Sequence, residues 1–121
     1  MGKRYVVRHG DEVDGVDCPC GLSRRILTRK DSDAASLHVV RIKRDSEIHY
    51  HKVRTEFYYV LRGEGQMYLD GDVVPVRQGH AIAIPPGVTH RARGDLEILN
   101  VVIPPHAPGD EYIVEDAAAG R

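Results

Sequence analysis

Short apolar runs alternate with polar punctuation along the whole chain, and none keeps a helical period over ten residues. Leu37-His38-Val39-Val40-Arg41-Ile42-Lys43 is β-branched and bounded by polar residues. Phe57-Tyr58-Tyr59-Val60-Leu61 is aromatic and β-branched and stops at Arg62-Gly63-Glu64-Gly65. Gln66-Met67-Tyr68-Leu69 and Asp72-Val73-Val74-Pro75-Val76 flank Asp70-Gly71, a hairpin signal because that turn needs positive φ. Pro75 has no N–H to donate, so its strand belongs at a sheet edge or near a strand end. Ala81-Ile82-Ala83-Ile84 is short and stops at Pro85-Pro86-Gly87, and Leu96 to Ile103 is ended by Pro104-Pro105. Many short strands separated by frequent turns predict an all-β antiparallel sandwich or barrel. Residues 9–21 are rich in Gly and Asp and predict a loop, and Asp116 to Arg121 predict a frayed end.

At 121 residues the chain is expected to be one domain, with 41% hydrophobic and 29% charged residues. No apolar run approaches the ~20 residues that span a bilayer. The start, Met1 to Val7, lacks the apolar stretch of a secretory signal, so a cytoplasmic location is expected. Seventeen basic residues against 18 acidic ones give −1, without the basic excess of a nucleic-acid binder. Two cysteines cannot build a disulfide framework. Cys18 and Cys20 are only two apart, a spacing at which bridges are strained, so a loop with two reduced thiols is expected.

The seven histidines change the picture. His49 and His51 lie two apart in a strand-like stretch, where period-two alternation puts both imidazoles on one face. Glu56 follows at the start of the next strand signal, and His90 stands just after Pro85-Pro86-Gly87-Val88-Thr89. Three imidazoles and a carboxylate converging inside a small barrel would hold one divalent transition metal: Fe, Mn, Ni, Zn, Co or Cu. Ca and Mg want mainly oxygen ligands. Four protein groups on an octahedral ion leave two open positions for water, dioxygen or a chelating substrate.

The full pattern is His49-x-His51-x4-Glu56-x6-Gly63, then Gly79-x5-Pro85-x-Gly87-x2-His90. From average residue usage, eight fixed residues at fixed gaps arise by chance on the order of 10⁻¹¹ per placement. These two blocks resemble the two sequence motifs of the cupin superfamily, closely over residues 46–90 and in strand order over about 37–103. The resemblance implies a double-stranded β-helix, a jelly-roll barrel, forming a single domain over 1–121. An N-terminal arm (1–30) and a C-terminal tail (104–121) would flank its core. It also implies His49, His51, Glu56 and His90 as the metal ligands. The chain departs from the pattern at Lys43 and Gly94, where the motifs often carry Gly and Asn; both are read as turn positions.

Further pocket residues follow from alternation. Tyr58 points the same way as Glu56, and the two are the candidate catalytic groups: Tyr58 as an acid, Glu56 as a base that leaves the ion. Gln66 and Tyr68 share a face whose direction the sequence leaves open, and Ala92 would leave room beside the metal. Arg24 and Arg25 point to opposite faces, and an inward guanidinium could clamp a carboxylate or phosphate. His38 shares a face with Val40 and Ile42 and reads as a satisfied core or pocket histidine. His9, His80 and His106 carry no role. The resemblance implies a metalloenzyme acting on a small organic substrate, by dioxygenase-like oxidation or by isomerisation or cyclisation through a metal-stabilised enolate. A non-catalytic small-molecule- or sugar-binding module is the alternative. It also implies a homodimer, with Tyr5-Val6-Val7 as a strand that crosses to the partner.

Overall fold

The computed structural model describes residues 4–43 and 46–114; the expected fraying of Asp116 to Arg121 lies outside the described residues. Among the described residues nine strands form one curled antiparallel sheet: β1 (Val16–Cys18), β2 (Gly21–Leu27), β3 (Ser36–Ile42), β4 (His49–Tyr50), β5 (Thr55–Leu69), β6 (Asp72–Arg77), β7 (Ala81–Ile84), β8 (His90–Ile103) and β9 (Tyr112–Ile113). The other regular element among the described residues is a 3-10 turn at Gly10–Glu12. The chain is therefore an all-β jelly-roll barrel. No helix among the described residues is long and apolar enough to cross a membrane.

β8 is the spine. It pairs with β3 from Ser36↔Val102 to Arg41↔Glu97, and with β5 from Thr55↔Ile103 to Leu69↔His90. β5 carries β7 and then β6 on its other side. Among the described residues β6 pairs with β5 alone, so Pro75 sits on an edge strand, where a missing N–H is tolerated. Asp70 (φ 49°) and Gly71 (φ 91°) make the expected hairpin turn, and Gly79 and Gly87 take positive φ in turns.

Three strand expectations are corrected. Arg62-Gly63-Glu64-Gly65 does not end a strand, because β5 runs unbroken through it. β8 begins at His90 rather than Leu96. Residues 9–21 are not one loop: they hold the 3-10 turn, β1 and the first residue of β2. The first two errors share a cause. Gly63, Gly65 and Gly94 lie where β5 and β8 approach too closely for side chains, not in turns. A Cβ on Gly63 would collide with the Asp95 carbonyl, one on Gly65 with the Arg93 carbonyl, and one on Gly94 would lie 2.8 Å from the Gly65 Cα. Glycine inside a strand marks this kind of close backbone approach.

A β-bulge between Val60 and Arg62 accompanies the pinch. Upstream of it Glu56, Tyr58 and Val60 face inward; downstream the inward residues are Gly63, Gly65 and Met67. One extra residue shifts the phase of a period-two element, so every later side chain changes face. Gln66 and Tyr68 therefore face outward. On β8 no such shift occurs, and His90, Ala92, Leu96, Ile98, Asn100 and Val102 all point in. The core is Val40, Ile42, Tyr58, Val60, Met67, Val76, Ile84, Ala92, Leu96 and Ile98.

The cysteine expectation is also overturned: Cys18 and Cys20 form a disulfide. Cys18-Pro19-Cys20-Gly21 is the tight turn joining β1 to β2, with Cys18 directly opposite Gly21. That turn brings the two Cα atoms to 5.4 Å, inside the usual range for a bridge despite the short spacing.

The pinch generates a stability prediction. Gly63→Ala should cost about 3 kcal/mol or more, because positive φ and a backbone collision act together. Gly71→Ala, at the same φ but with open space around it, should cost about 1–2 kcal/mol. Urea unfolding of the two variants measures both, and equal losses would disprove the crossing as the constraint.

Candidate metal centre

Sheet register alone keeps the site's parts separate. Glu56 pairs with Val102 and His90 with Leu69, at opposite ends of the β5–β8 ladder. The curl of the sheet turns the start of β5 and the start of β8 toward each other across the barrel interior. β4 adds His49 directly opposite His90, and His51 follows two residues later. One donor atom from each of His49, His51, Glu56 and His90 then lies within 4.8 Å of the others. All four side chains are buried, His90 completely.

The imidazoles are held in one tautomer. His49 Nδ1 lies 2.9 Å from the Glu47 carbonyl, His51 Nδ1 2.6 Å from that of Asp110, and His90 Nδ1 2.9 Å from that of Val88. A carbonyl only accepts, so each Nδ1 carries the proton and each Nε2 turns a lone pair inward. Metal-binding histidines are oriented by such partners. Glu56 Oε1 is 3.2 Å from His51 Nε2 and 3.3 Å from His90 Nε2. Glu56 Oε1 and His90 Nε2 are buried without a hydrogen-bond partner. Buried polar atoms without partners are rare, and a cation among them would satisfy both. The donor set therefore fits a divalent transition ion.

Electrostatics agree. Burial and the neighbouring His90 bring the His49 pKa down to about 3. Burial works against ionisation of Glu56, but the close approach of the His51 and His90 rings holds its carboxyl well below the ordinary value. A neutral imidazole and an ionised carboxylate are the forms that bind metal.

A cleft that reaches His49 and Glu56 of this group is also lined by Arg25, His38, Arg54, Tyr58, Asn100, His106 and Glu111, and by the disulfide. Tyr58 points inward as alternation predicts. Burial first, then the Glu56 charge, pushes its phenol well above the ordinary value, so it stays protonated. Arg25 faces the cleft, whereas Arg24 is exposed beside Asp11 at 3.8 Å. His38 is buried, with Nε2 2.8 Å from Ser36 Oγ and Nδ1 3.5 Å from Ser23 Oγ. Ala92 is buried on the His90 face. His9 caps the 3-10 turn, and His80 bonds the Arg77 backbone.

Sequence reasoning missed five residues here. Asn100 donates to Glu56 Oε2 at 3.0 Å. Arg54 sits 3.5 Å from the same oxygen and 3.1 Å from Glu111. His106 packs 5.8 Å from His38, ring to ring. Asp110 accepts from the backbone N–H groups of Lys52 (2.8 Å) and Arg54 (3.0 Å) while its carbonyl orients His51. Two carried a signal: Asn100 breaks an apolar inward row on β8, and Arg54 shares parity with Glu56. The other three return from the chain end, between Pro105 and β9, a contact no local pattern announces.

Residues 36–103 match the sequence profile described as the cupin domain. The L-ectoine synthase of Shouchella clausii (strain KSM-K16) is 36% identical over 101 residues, covering 79% of this chain and 75% of that protein. A crystal structure of a protein from Planctomyces limnophilus superposes with a TM-score of 0.82 at 33% identity, covering 93% of this chain and 96% of that one. The crystal structure of ectoine synthase from P. lautus gives 0.76 at 27% identity, covering 91% and 90%.

The buried histidines predict a pH dependence. His49 is held near 3, and burial holds His38 and His106 near 4, against 6.5 for an exposed imidazole. Between those values the unfolded chain binds more protons than the folded one, so stability rises with pH and is lost as pH falls. The metal-free protein should lose stability from pH 6.5 to 4.5 at more than about 1.4 kcal/mol per pH unit, the slope for one proton. Urea midpoints across that range test it; a flat profile would mean the imidazoles are not held neutral.

Proposed function

The chain belongs to the cupin domain family, and from that premise we propose a metal-dependent enzyme acting on a small organic substrate in the cytoplasm. The reaction class is non-oxidative: isomerisation or cyclisation by proton transfer. The observation that carries the reading is the group of four buried donors within 4.8 Å, two of them left without partners. The relatives with an assigned activity reported above are synthases of a small molecule, which favours bond rearrangement over dioxygen chemistry.

His49, His51, Glu56 and His90 would hold one divalent transition metal. When bound, such an ion supplies Lewis acidity, polarising a carbonyl or enol oxygen. We assign Glu56 to the ion rather than to the base role, because Oε2 is already held by Asn100 and Oε1 faces two imidazoles. Tyr58 is the proton donor: its phenol is buried, protonated and in the same cleft.

His51→Ala should empty the site and lower the melting temperature, since an ion bound only by the folded state stabilises it. Unchanged metal content, by elemental analysis, would place the ion elsewhere. Tyr58→Phe should keep the metal and slow turnover by about 10²–10⁴, the usual worth of a positioned acid. Full metal content with turnover unchanged would remove Tyr58 from the chemistry, and absence of turnover on any enolic compound would favour a binding module.

A homodimer is proposed from the outer sheet face. Leu37, Val101, Phe57 and Ala83 lie side by side in register, and Val39, Leu99, Tyr59 and Ala81 form the next row. Phe57 and Tyr59 are 45% and 46% exposed. Eight apolar residues in two rows make the contiguous patch that marks an association surface. Tyr5 and Val6 line the same hollow as Leu37 and Val101, outside any strand. The Phe57→Asp/Tyr59→Asp double variant should be monomeric by light scattering while the wild type is dimeric; a monomeric wild type at micromolar concentration would disprove the interface.

A further inference from the structure

Arg54 brings a permanent positive charge to the edge of the four donors, because a guanidinium keeps its proton at any working pH. The side chain is buried, and the Arg54 backbone N–H is tied to Asp110 Oδ2 at 3.0 Å, so adjustment at this position falls to the side chain. Nε lies 3.5 Å from Glu56 Oε2, an ion pair without a hydrogen bond. Nη2 carries two N–H groups. One meets Glu111 Oε1 at 3.1 Å, and the other meets His51 Nε2 at 3.4 Å.

The contact with His51 is the informative one. His51 Nδ1 gives its proton to the Asp110 carbonyl, so Nε2 is a lone pair and accepts from Arg54. The same Nε2 faces Glu56 Oε1 at 3.2 Å and is the atom that His51 offers to an ion. A ring lone pair takes one partner, an N–H or a metal, and not both.

Charge leads to the same exclusion. With the imidazoles in that tautomer, Glu56 is the one charged donor, and Arg54 stands beside it as a balancing cation. A buried carboxylate that loses its cation is left uncompensated, which is costly. A divalent ion within a few ångströms of a buried guanidinium repels it, with little screening by salt. Glu111 offers the guanidinium a second contact that involves none of the four donors, at the rim, where 31% of the Glu111 side chain is exposed.

We propose that Arg54 competes with the metal from within the fold. When no ion is bound, its guanidinium is the counter-cation of Glu56 and the partner of His51 Nε2. An ion that binds must take that lone pair, and the guanidinium then keeps Glu111. This deepens the function proposed above and rests on its metal reading. The site consequently holds its ion less tightly than the four donors would by themselves. A role in which Arg54 only steadies the ligands has the opposite sign, since loss of a neighbour that orients a ligand weakens metal binding.

The test is zinc affinity, measured on the full-length protein by competition with a chromophoric chelator. Arg54→Met, which keeps an unbranched stem and removes the charge, should bind zinc about tenfold or more tightly than the wild type. Glu111→Gln, which removes the anchor the guanidinium retains, should bind it about threefold or more weakly. Where Arg54→Met folds, it decides: zinc affinity equal to or weaker than that of the wild type overturns the proposal and leaves the metal reading standing. Where it does not fold, Glu111→Gln decides, and affinity equal to or tighter than that of the wild type overturns the proposal. Zinc uptake by Arg54→Met and not by the wild type supports the competition at its limit. Uptake by neither overturns the metal reading, and this proposal with it.

Discussion

The close crossing of β5 and β8 is the constraint on which the rest depends. Two strands of 15 and 14 residues are paired along their whole length. Left flat, they would hold Glu56 and His90 at opposite ends of the ladder. Gly63, Gly65 and Gly94 remove the side chains that would keep the backbones apart at the bend, and the bulge after Val60 adds twist there. The curl that follows converts a long ladder into a barrel and turns its two ends inward to face each other. The same bulge sets which side chains those are: without the phase change, either Glu56 and Tyr58 or Met67 would point outward.

Inside the barrel the polar groups are arranged by what they cannot do. The three Nδ1 atoms are tied to backbone carbonyls, so in the neutral tautomer each Nε2 presents a lone pair, and lone pairs cannot pair with one another. The Glu56 carboxylate cannot donate. These atoms share a buried space, and a cation placed among them satisfies them together. Folding thus places mutually incompatible acceptors next to each other, a cost supported by the surrounding sheet and recovered on binding. Local conflict of this kind is what a functional site looks like against an otherwise consistent sequence.

The segment after Pro104 completes the centre. Asp110 ties the backbone of Lys52, Val53 and Arg54 with its carboxylate and orients His51 with its carbonyl, while β9 pairs with β4. Glu111 accepts from Arg54 Nη2, while Nε, 3.5 Å from Glu56 Oε2, and Nη1 are left without a hydrogen-bond partner. Residues 105–113 are therefore part of the site's wall, and they supply the polar frame that distinguishes this pocket from a bare set of four donors.

The division between sequence and tertiary structure follows the range of the interactions. Strand character, the Asp70-Gly71 turn, the edge position of Pro75 and the inward direction of Tyr58 are local, set by alternation and turn chemistry within a few residues, and were legible in the chain. So was the set of His49, His51, Glu56 and His90, because fixed spacing recorded which residues must meet. The chain could not show that Gly63, Gly65 and Gly94 are a strand crossing, since a glycine reads the same in a turn and under a neighbouring backbone. Nor could it show the Cys18–Cys20 bridge, which depends on the turn that β1 and β2 impose. The partners of Arg54, the contact of Asn100 with Glu56 and the reach of Asp110 were decided only when segments up to 59 positions apart came together, because hydrogen-bond satisfaction is a property of the surroundings and not of the residue.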